Sequence, residues 1–106
     1  MRTFSKFLAE RALSEGPLKG DLQKVKDSVI EWLEDQDVRL GKGDVQNGVF
    51  GDFFRITIDK EFEYTYNGKE IKVFDVKKDK QVATKPAGSR EAQSEFAKLV
   101  KKYSKV

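Results

Sequence analysis

The segment FRITIDKEFEYTYNGKEIKV, residues 54–73, alternates apolar and polar side chains with the period of two that β-strands show. Its apolar residues occupy alternate positions, so that they share one face when the strands pair: Phe54, Ile56, Ile58, Phe62, Tyr64, Ile71 and Val73. The polar residues between them would face the solvent. This segment therefore predicts three adjacent antiparallel strands with one buried face.

Two short turns set the register of these three strands. Asn67-Gly68 is the dipeptide expected in a two-residue type I′ turn, and pairing outward from it places Tyr64 opposite Ile71 and Phe62 opposite Val73. A three-residue turn at 59–61 would place Ile56 opposite Tyr64, whereas a two-residue turn would place Ile56 opposite Glu63. The first alternative extends the apolar face across a three-stranded meander.

Apolar residues at helical spacing flank these strands on both sides. An N-terminal pair is predicted: a short amphipathic helix ended by Gly16-Pro17, and a helix capped by Asp21. A C-terminal helix is predicted from Ser89. The apolar positions of the three helices are Phe4, Phe7 and Leu8, with Ala12 and Leu13 adding weaker ones; Leu22, Val25, Val29, Trp32 and Leu33; and Ala92, Phe96, Leu99, Val100 and Tyr103.

The rest of the chain is interpreted as loops, over 37–51 and 77–89, the second with a short strand at 81–84 as an option. The predicted fold class is α+β, a small three-stranded antiparallel sheet packed by an N-terminal helix pair and a C-terminal helix. At 106 residues the chain is long enough for one hydrophobic core. One domain is expected.

Composition narrows the classes of function. The chain has no cysteine and no histidine, so disulfides, thiolate metal sites and imidazole general bases are all absent. No apolar run approaches the roughly 20 residues that span a bilayer, so no membrane association is expected. We find no catalytic motif, and we expect a protein that is not an enzyme, with no metal and no cofactor.

Charge is distributed unevenly along the chain. Residues 1–68 carry 10 basic and 13 acidic side chains, whereas residues 69–106 carry 11 and 5. The basic third is a candidate binding surface for phosphates, although a solvated face is the other interpretation. Lysines without interleaved arginines do not indicate sequence-specific recognition. Its candidate binding residues are Lys69, Lys72, Lys77, Lys78, Lys80, Lys98, Lys101, Lys102 and Lys105.

The first ten residues, MRTFSKFLAE, resemble the capsid targeting sequence of T-even-type phage internal head proteins, a pattern close to Met-Lys-Thr-Tyr-x-x-Phe-Ile-Ala-Glu. Phe4 and Phe7 occupy its aromatic positions, while Lys6 replaces an acidic residue. The tripeptide Leu8-Ala9-Glu10 fits the Leu/Ile-x-Glu site that the prohead protease cuts in that family, and Leu13-Ser14-Glu15 is a second such tripeptide. The alternative is that residues 1–15 form an amphipathic helix packed on the core.

The resemblance implies a cleaved propeptide over residues 1–10, or a second cut after residue 15, followed by a single α+β domain over 11–106. Its partners would be the prohead scaffold and the prohead protease, and its location the virion interior, then the host cytoplasm after injection with the DNA. There it would bind and inhibit a host defence protein, such as a restriction nuclease. The alternative is a head protein that binds or condenses the packaged DNA nonspecifically.

Overall fold

A computed structural model describes residues 18–41 and 43–105. These residues form two helices and five strands, in this order along the chain: α1 (Leu22–Asp35), β1 (Val45–Asn47), β2 (Phe54–Ile58), β3 (Phe62–Tyr66), β4 (Glu70–Asp75), β5 (Lys80–Pro86) and α2 (Ala92–Tyr103). The strands make one antiparallel sheet in sequential order.

The class is α+β, but the predicted architecture is wrong in two respects. The sheet has five strands where three were expected, and the described residues contain one helix before the sheet and one after it, not an N-terminal pair. The first helix of the predicted pair, around Phe4 to Leu13, lies outside the described residues.

Both additional strands lie at the edges of the sheet, which is why their sequences lack a clear alternation. β1 lies within a segment that was predicted to be a loop and is only three residues long. β5 occupies the position of the optional strand at 81–84 but extends over 80–86. It carries Lys80, Lys85 and Pro86, and a register irregularity interrupts its pairing at Val73/Phe74. Short length, lysine, proline and bulges protect sheet edges from further pairing, and they also obscure the period-two pattern.

The register of β2 and β3 confirms the three-residue turn, since Ile58 pairs with Phe62 and Ile56 pairs with Tyr64. The register predicted for β3 and β4 is wrong by two residues, because Tyr64 pairs with Val73. Asn67 precedes the turn instead of standing inside it: its Oδ1 accepts the N–H groups of Lys69 and Glu70 at 2.9 and 3.0 Å. An even shift leaves every side chain on its predicted face.

The two helices pack on this apolar face of the sheet. Phe96 of α2 lies in the centre, with ring centroids 6.0 Å from Phe54 and 5.6 Å from Tyr64. The core consists of the buried residues Leu22, Val25, Val29, Leu33, Phe54, Ile56, Ile58, Tyr64, Tyr66, Ile71, Val73, Ala87, Ala92, Phe96 and Val100. The predicted helix residues Trp32, Leu99 and Tyr103 are partly buried at its margin.

The predicted helix caps are not formed as expected. Asp21 stands at the N-cap of α1 but makes no side-chain capping hydrogen bond, and the N-cap of α2 is Glu91, not Ser89. The Ser89 hydroxyl instead donates to Asp21 Oδ2 at 3.3 Å, joining the starts of the two helices.

The turn between β2 and β3 carries backbone strain that a single substitution should relieve. Asp59 and Lys60 have φ angles of 54° and 57°, in the left-handed region that favours glycine. We expect Lys60→Gly to raise the free energy of unfolding by roughly 0.5–1 kcal/mol, because the relief of about 1–2 kcal/mol exceeds the added chain entropy. Urea titration measures it. Lys77→Gly, at a turn residue without positive φ, is the control, and equal losses in both variants would contradict the strain argument.

Candidate interaction surfaces

The proposed targeting residues precede the described domain. Phe4, Phe7 and the tripeptides 8–10 and 13–15 all lie outside the described residues. The core of the described part begins at Leu22 and ends at Val100. A chain cut after Glu10 or after Glu15 therefore keeps every one of these core residues.

The structure brings five of the predicted lysines together at one end of the sheet. Lys77 and Lys78 lie in the turn between β4 and β5, and Lys77 Nζ is 3.8 Å from Glu61 Oε1 in the turn between β2 and β3. Glu61 also lines a cleft with Lys102 and Lys105 at the end of α2. We call this surface the lysine end and define it as Lys60, Lys77, Lys78, Lys80, Lys102 and Lys105.

Sequence reasoning missed Lys60, because it precedes the basic third of the chain and reaches this surface only through the β2–β3 turn. Four carboxylates share the same end: Asp59, Glu61, Asp75 and Asp79. Asp75 is buried, and its Oδ1 accepts the N–H of Lys78 at 3.0 Å. Six lysines among four carboxylates leave a small positive excess, which favours a mixed polar contact over a phosphate backbone.

The remaining predicted lysines lie elsewhere on the molecule. Lys69 lies in the turn at the opposite end of the sheet. Lys72 and Lys98 are in ion pairs, with Nζ to carboxylate oxygen distances of 3.5 Å to Glu70 and 3.4 Å to Glu95. Lys101 Nζ lies 5.8 Å from the ring centroid of Trp32. The nine predicted lysines are thus spread over both helix and sheet surfaces and do not form one continuous patch.

A cleft of about 520 Å³ opens beside the lysine end. Phe62 and Tyr103 form its apolar wall, with ring centroids 5.7 Å apart. Ser104 also lines the cleft, and its hydroxyl shares a hydrogen bond of 2.6 Å with the Tyr64 hydroxyl. An apolar wall with lysines and carboxylates at the rim suits the side chain of another protein. Among the described residues, no group of three His, Cys, Asp or Glu side chains is placed to hold a metal ion.

The buried tyrosines make the free energy of unfolding depend on pH in the alkaline range. Burial raises the pKa of Tyr64 to about 12, against a smaller opposing effect of the Ser104 hydrogen bond, and burial also raises the pKa of Tyr66. Tyrosines of the unfolded chain titrate near pH 10, so above that pH the folded state retains more protons and its stability falls.

We therefore expect the stability contributed by Tyr64 to be fully present below pH 10, and to be lost from pH 10 to 12 by at most about 1.4 kcal/mol per pH unit. Urea titrations at a series of pH values measure this slope. Tyr64→Phe should reduce it, and a slope that is the same in both proteins would contradict the assignment to Tyr64.

The second face of the sheet is covered by neither described helix. It is polar: Arg55 Nη2 donates to Gln46 Oε1, and Arg55 Nη1 is 4.0 Å from Glu63 Oε1. Phe74 on β4 is half-buried on the same face, where it is paired across the strands with Glu63 of β3. Such a face can bind another protein without any movement of the core.

The loop between β1 and β2 carries the most exposed aromatic side chain of the described residues, Phe50. Sequence analysis interpreted this segment as a loop and did not single out Phe50. The available signal was Val49-Phe50 between Gly48 and Gly51, since turn centres usually carry small or polar residues.

Comparisons with known protein families, with curated proteins and with solved structures find no match to this chain. Within residues 18–41 and 43–105, no helix is long and apolar enough to cross a membrane.

Proposed function

We propose that this chain is an internal head protein of a T-even-type phage, directed into the prohead by its first ten residues, trimmed by the prohead protease and injected with the DNA. The observation that carries the proposal is the segment MRTFSKFLAE. The position of the core supports it, since both Leu-x-Glu tripeptides precede Leu22. Trimming at either site removes no described core residue.

In the host cell the trimmed protein binds a defence protein, such as a restriction nuclease, and inhibits it sterically without catalysis. Removal of residues 1–10 takes away two basic and one acidic side chain and leaves a net charge of +2. A small net charge, ion-paired lysines and an uncovered polar sheet face suit a protein partner better than a DNA duplex.

Nonspecific binding of packaged DNA is the alternative, and the lysine end is the observation that favours it. Each lysine that contacts a phosphate contributes about −0.9 to the slope of log affinity against log salt. If this alternative holds, replacing Lys77 and Lys78 by glutamine should make that slope less negative by about 2. Steric inhibition predicts instead saturable one-to-one binding of a host protein in the absence of DNA.

N-terminal sequencing of the protein recovered from purified virions tests the delivery proposal. We expect the sequence to begin at Arg11 or at Gly16. Glu10→Ala should block the first cut while packaging continues, and Glu15→Ala is the matched control at the second tripeptide. Recovery of uncut wild-type protein that begins at Met1 or Arg2, or absence of the protein from virions, would contradict the proposal.

A further inference from the structure

Backbone strain is concentrated at the lysine end. Five residues other than glycine have a positive φ in the described part, and four of them lie there: Asp59, Lys60, Asp79 and Lys105, with Asp37 as the exception. Aspartate tolerates the left-handed region better than most residues, whereas lysine has no such tolerance. The two lysines are therefore the strained positions that the fold leaves unexplained.

Lys60 and Lys105 stand at positions where glycine is preferred. Lys60 has a φ of 57° in the turn between β2 and β3, and Lys105 has a φ of 55° just after the end of α2, where helices often place a glycine. The left-handed conformation costs lysine free energy at both positions, whereas glycine adopts it readily. Strained residues cluster at functional sites, so two lysine side chains at these positions indicate a use for their charge.

Both lysines belong to the rim of the cleft beside the lysine end. Lys105 lines the cleft together with Lys102, and Lys60 lies between the two lining residues Asp59 and Glu61. The wall of the same cleft is formed by two aromatic rings, as described above. The cleft therefore combines an apolar wall with three lysines, two of them in strained conformations.

The positive charge of this rim is not neutralised by the described residues. Among them, Lys60, Lys102 and Lys105 form no ion pair, while Glu61 is already paired with Lys77. The four lysines and the two carboxylates, those of Glu61 and Asp59, leave a balance of +2 around the cleft. The chemistry that complements this rim is therefore anionic.

Hydrogen bonds fix the backbone on both sides of the cleft. The Glu61 N–H donates to the Ile58 carbonyl at 3.0 Å, and the Val76 N–H donates to the Glu61 carbonyl at 2.9 Å. On the helix side, the N–H groups of Ser104 and Lys105 both donate to the same carbonyl of α2, at 2.8 and 3.1 Å. Binding at the cleft would therefore order the lysine side chains but little additional backbone.

We propose that the cleft binds an acidic segment of a partner protein. An apolar side chain of that segment packs against the rings of Phe62 and Tyr103, and its carboxylates accept hydrogen bonds from Lys60, Lys102 and Lys105. Bonds between ionised groups are stronger than neutral ones and fix the orientation of the segment, while the apolar contact removes ring surface from water. The inference rests on the proposed function only in taking the host defence protein as the owner of this segment.

The shape of the cleft favours a peptide segment over other anionic occupants. A DNA duplex or a bilayer surface is too broad to enter a cleft of about 520 Å³, so either would contact the lysines and leave the aromatic wall uncovered. A free phosphate would also use the lysines alone. One apolar side chain between acidic neighbours matches the wall and the rim together.

Peptide titrations followed by amide NMR of the isotope-labelled full chain test the site. The probe is the capped peptide EDLFDE, and two matched peptides each remove one property: EDSSDE lacks the apolar side chains, and QNLFNQ lacks the carboxylates. We expect saturable shifts at the amides of Phe62, Tyr103, Ser104 and Lys105. The probe should bind at least about fivefold more tightly than either matched peptide, because each of these lacks one of the two kinds of contact.

The strained lysines allow binding to be separated from folding. Lys60→Gly combined with Lys105→Gly should raise the urea concentration at the midpoint of unfolding, since glycine relieves the strain. The same variant should bind the probe at least about threefold more weakly, since two ammonium groups are lost. Lys24→Gln combined with Lys69→Gln removes the same charge from exposed residues outside the cleft and should leave the affinity for the probe nearly unchanged.

The outcomes separate the site from the proposed function. Absence of saturable shifts at the cleft, equal binding of QNLFNQ or EDSSDE, or equal weakening in the two double variants overturns the site. Displacement of the probe at a lower concentration by a short DNA duplex, by inorganic phosphate or by vesicles of phosphatidylserine and phosphatidylcholine also overturns it. Binding as expected supports the site even where virions lack the protein, a result that overturns only the proposed function.

Discussion

Replacing Phe96 by alanine should lower the free energy of unfolding by about 3–5 kcal/mol. Phe96 is fully buried, and its ring packs against both Phe54 and Tyr64, which come from the adjacent strands β2 and β3. Truncation removes the apolar contacts with both rings and leaves a cavity where helix α2 meets the sheet. Small domains are stable by about 5–15 kcal/mol, so this single change would remove a large part of the total.

Urea or thermal unfolding of the purified variant measures the loss. Leu99→Ala is the matched control, because Leu99 lies on the same helix and is only partly buried; it should cost clearly less. Ile56→Ala should cost about 2–5 kcal/mol for the same physical reason on the sheet side. A loss below about 0.5 kcal/mol for Phe96→Ala or Ile56→Ala would show that the buried face is wrongly assigned.

Deleting residues 1–10 should reduce the amount of the protein in purified virions at least about tenfold. The reason is that the segment resembling a targeting sequence, with Phe4, Phe7 and Leu8 as its apolar positions, would be lost. An apolar stripe of this kind binds a partner by inserting into a groove. The shortened protein should unfold at the same urea concentration as the untrimmed chain, because the described core runs from Leu22 to Val100.

Immunoblots of virions and of infected-cell lysates measure the packaged fraction. Phe4→Ser combined with Phe7→Ser should have the same effect without shortening the chain, while Arg2→Lys, which restores the residue of the family pattern, should package normally. Normal packaging of the shortened chain would contradict the targeting assignment. A shortened chain that no longer folds would instead favour the interpretation of residues 1–15 as part of the core.

Strands β2 to β4 could be predicted because their pattern depends only on residues that are close together in the sequence. In a strand, alternate residues share a face, so Ile56, Tyr64 and Val73 could be placed together from their spacing alone. The prediction survived an error of two residues in the register, since an even shift does not exchange the faces. Helices α1 and α2 were predictable for the same reason, at a period of 3.6 residues.

The edge strands and the candidate surfaces depended on the tertiary structure. β1 and β5 pair on one side only. Features that prevent further pairing at an exposed edge interrupt the alternation of apolar and polar residues, so these strands show little periodicity. The lysine end joins Lys60, Lys77 and Lys102 from three separate segments, and only the antiparallel return of the chain brings them to one end of the sheet. Phe50 is visible in the sequence, but its exposure depends on the fold, in which hydrogen bonds join its turn to Phe53 and Lys19 and its side chain lies outside the core.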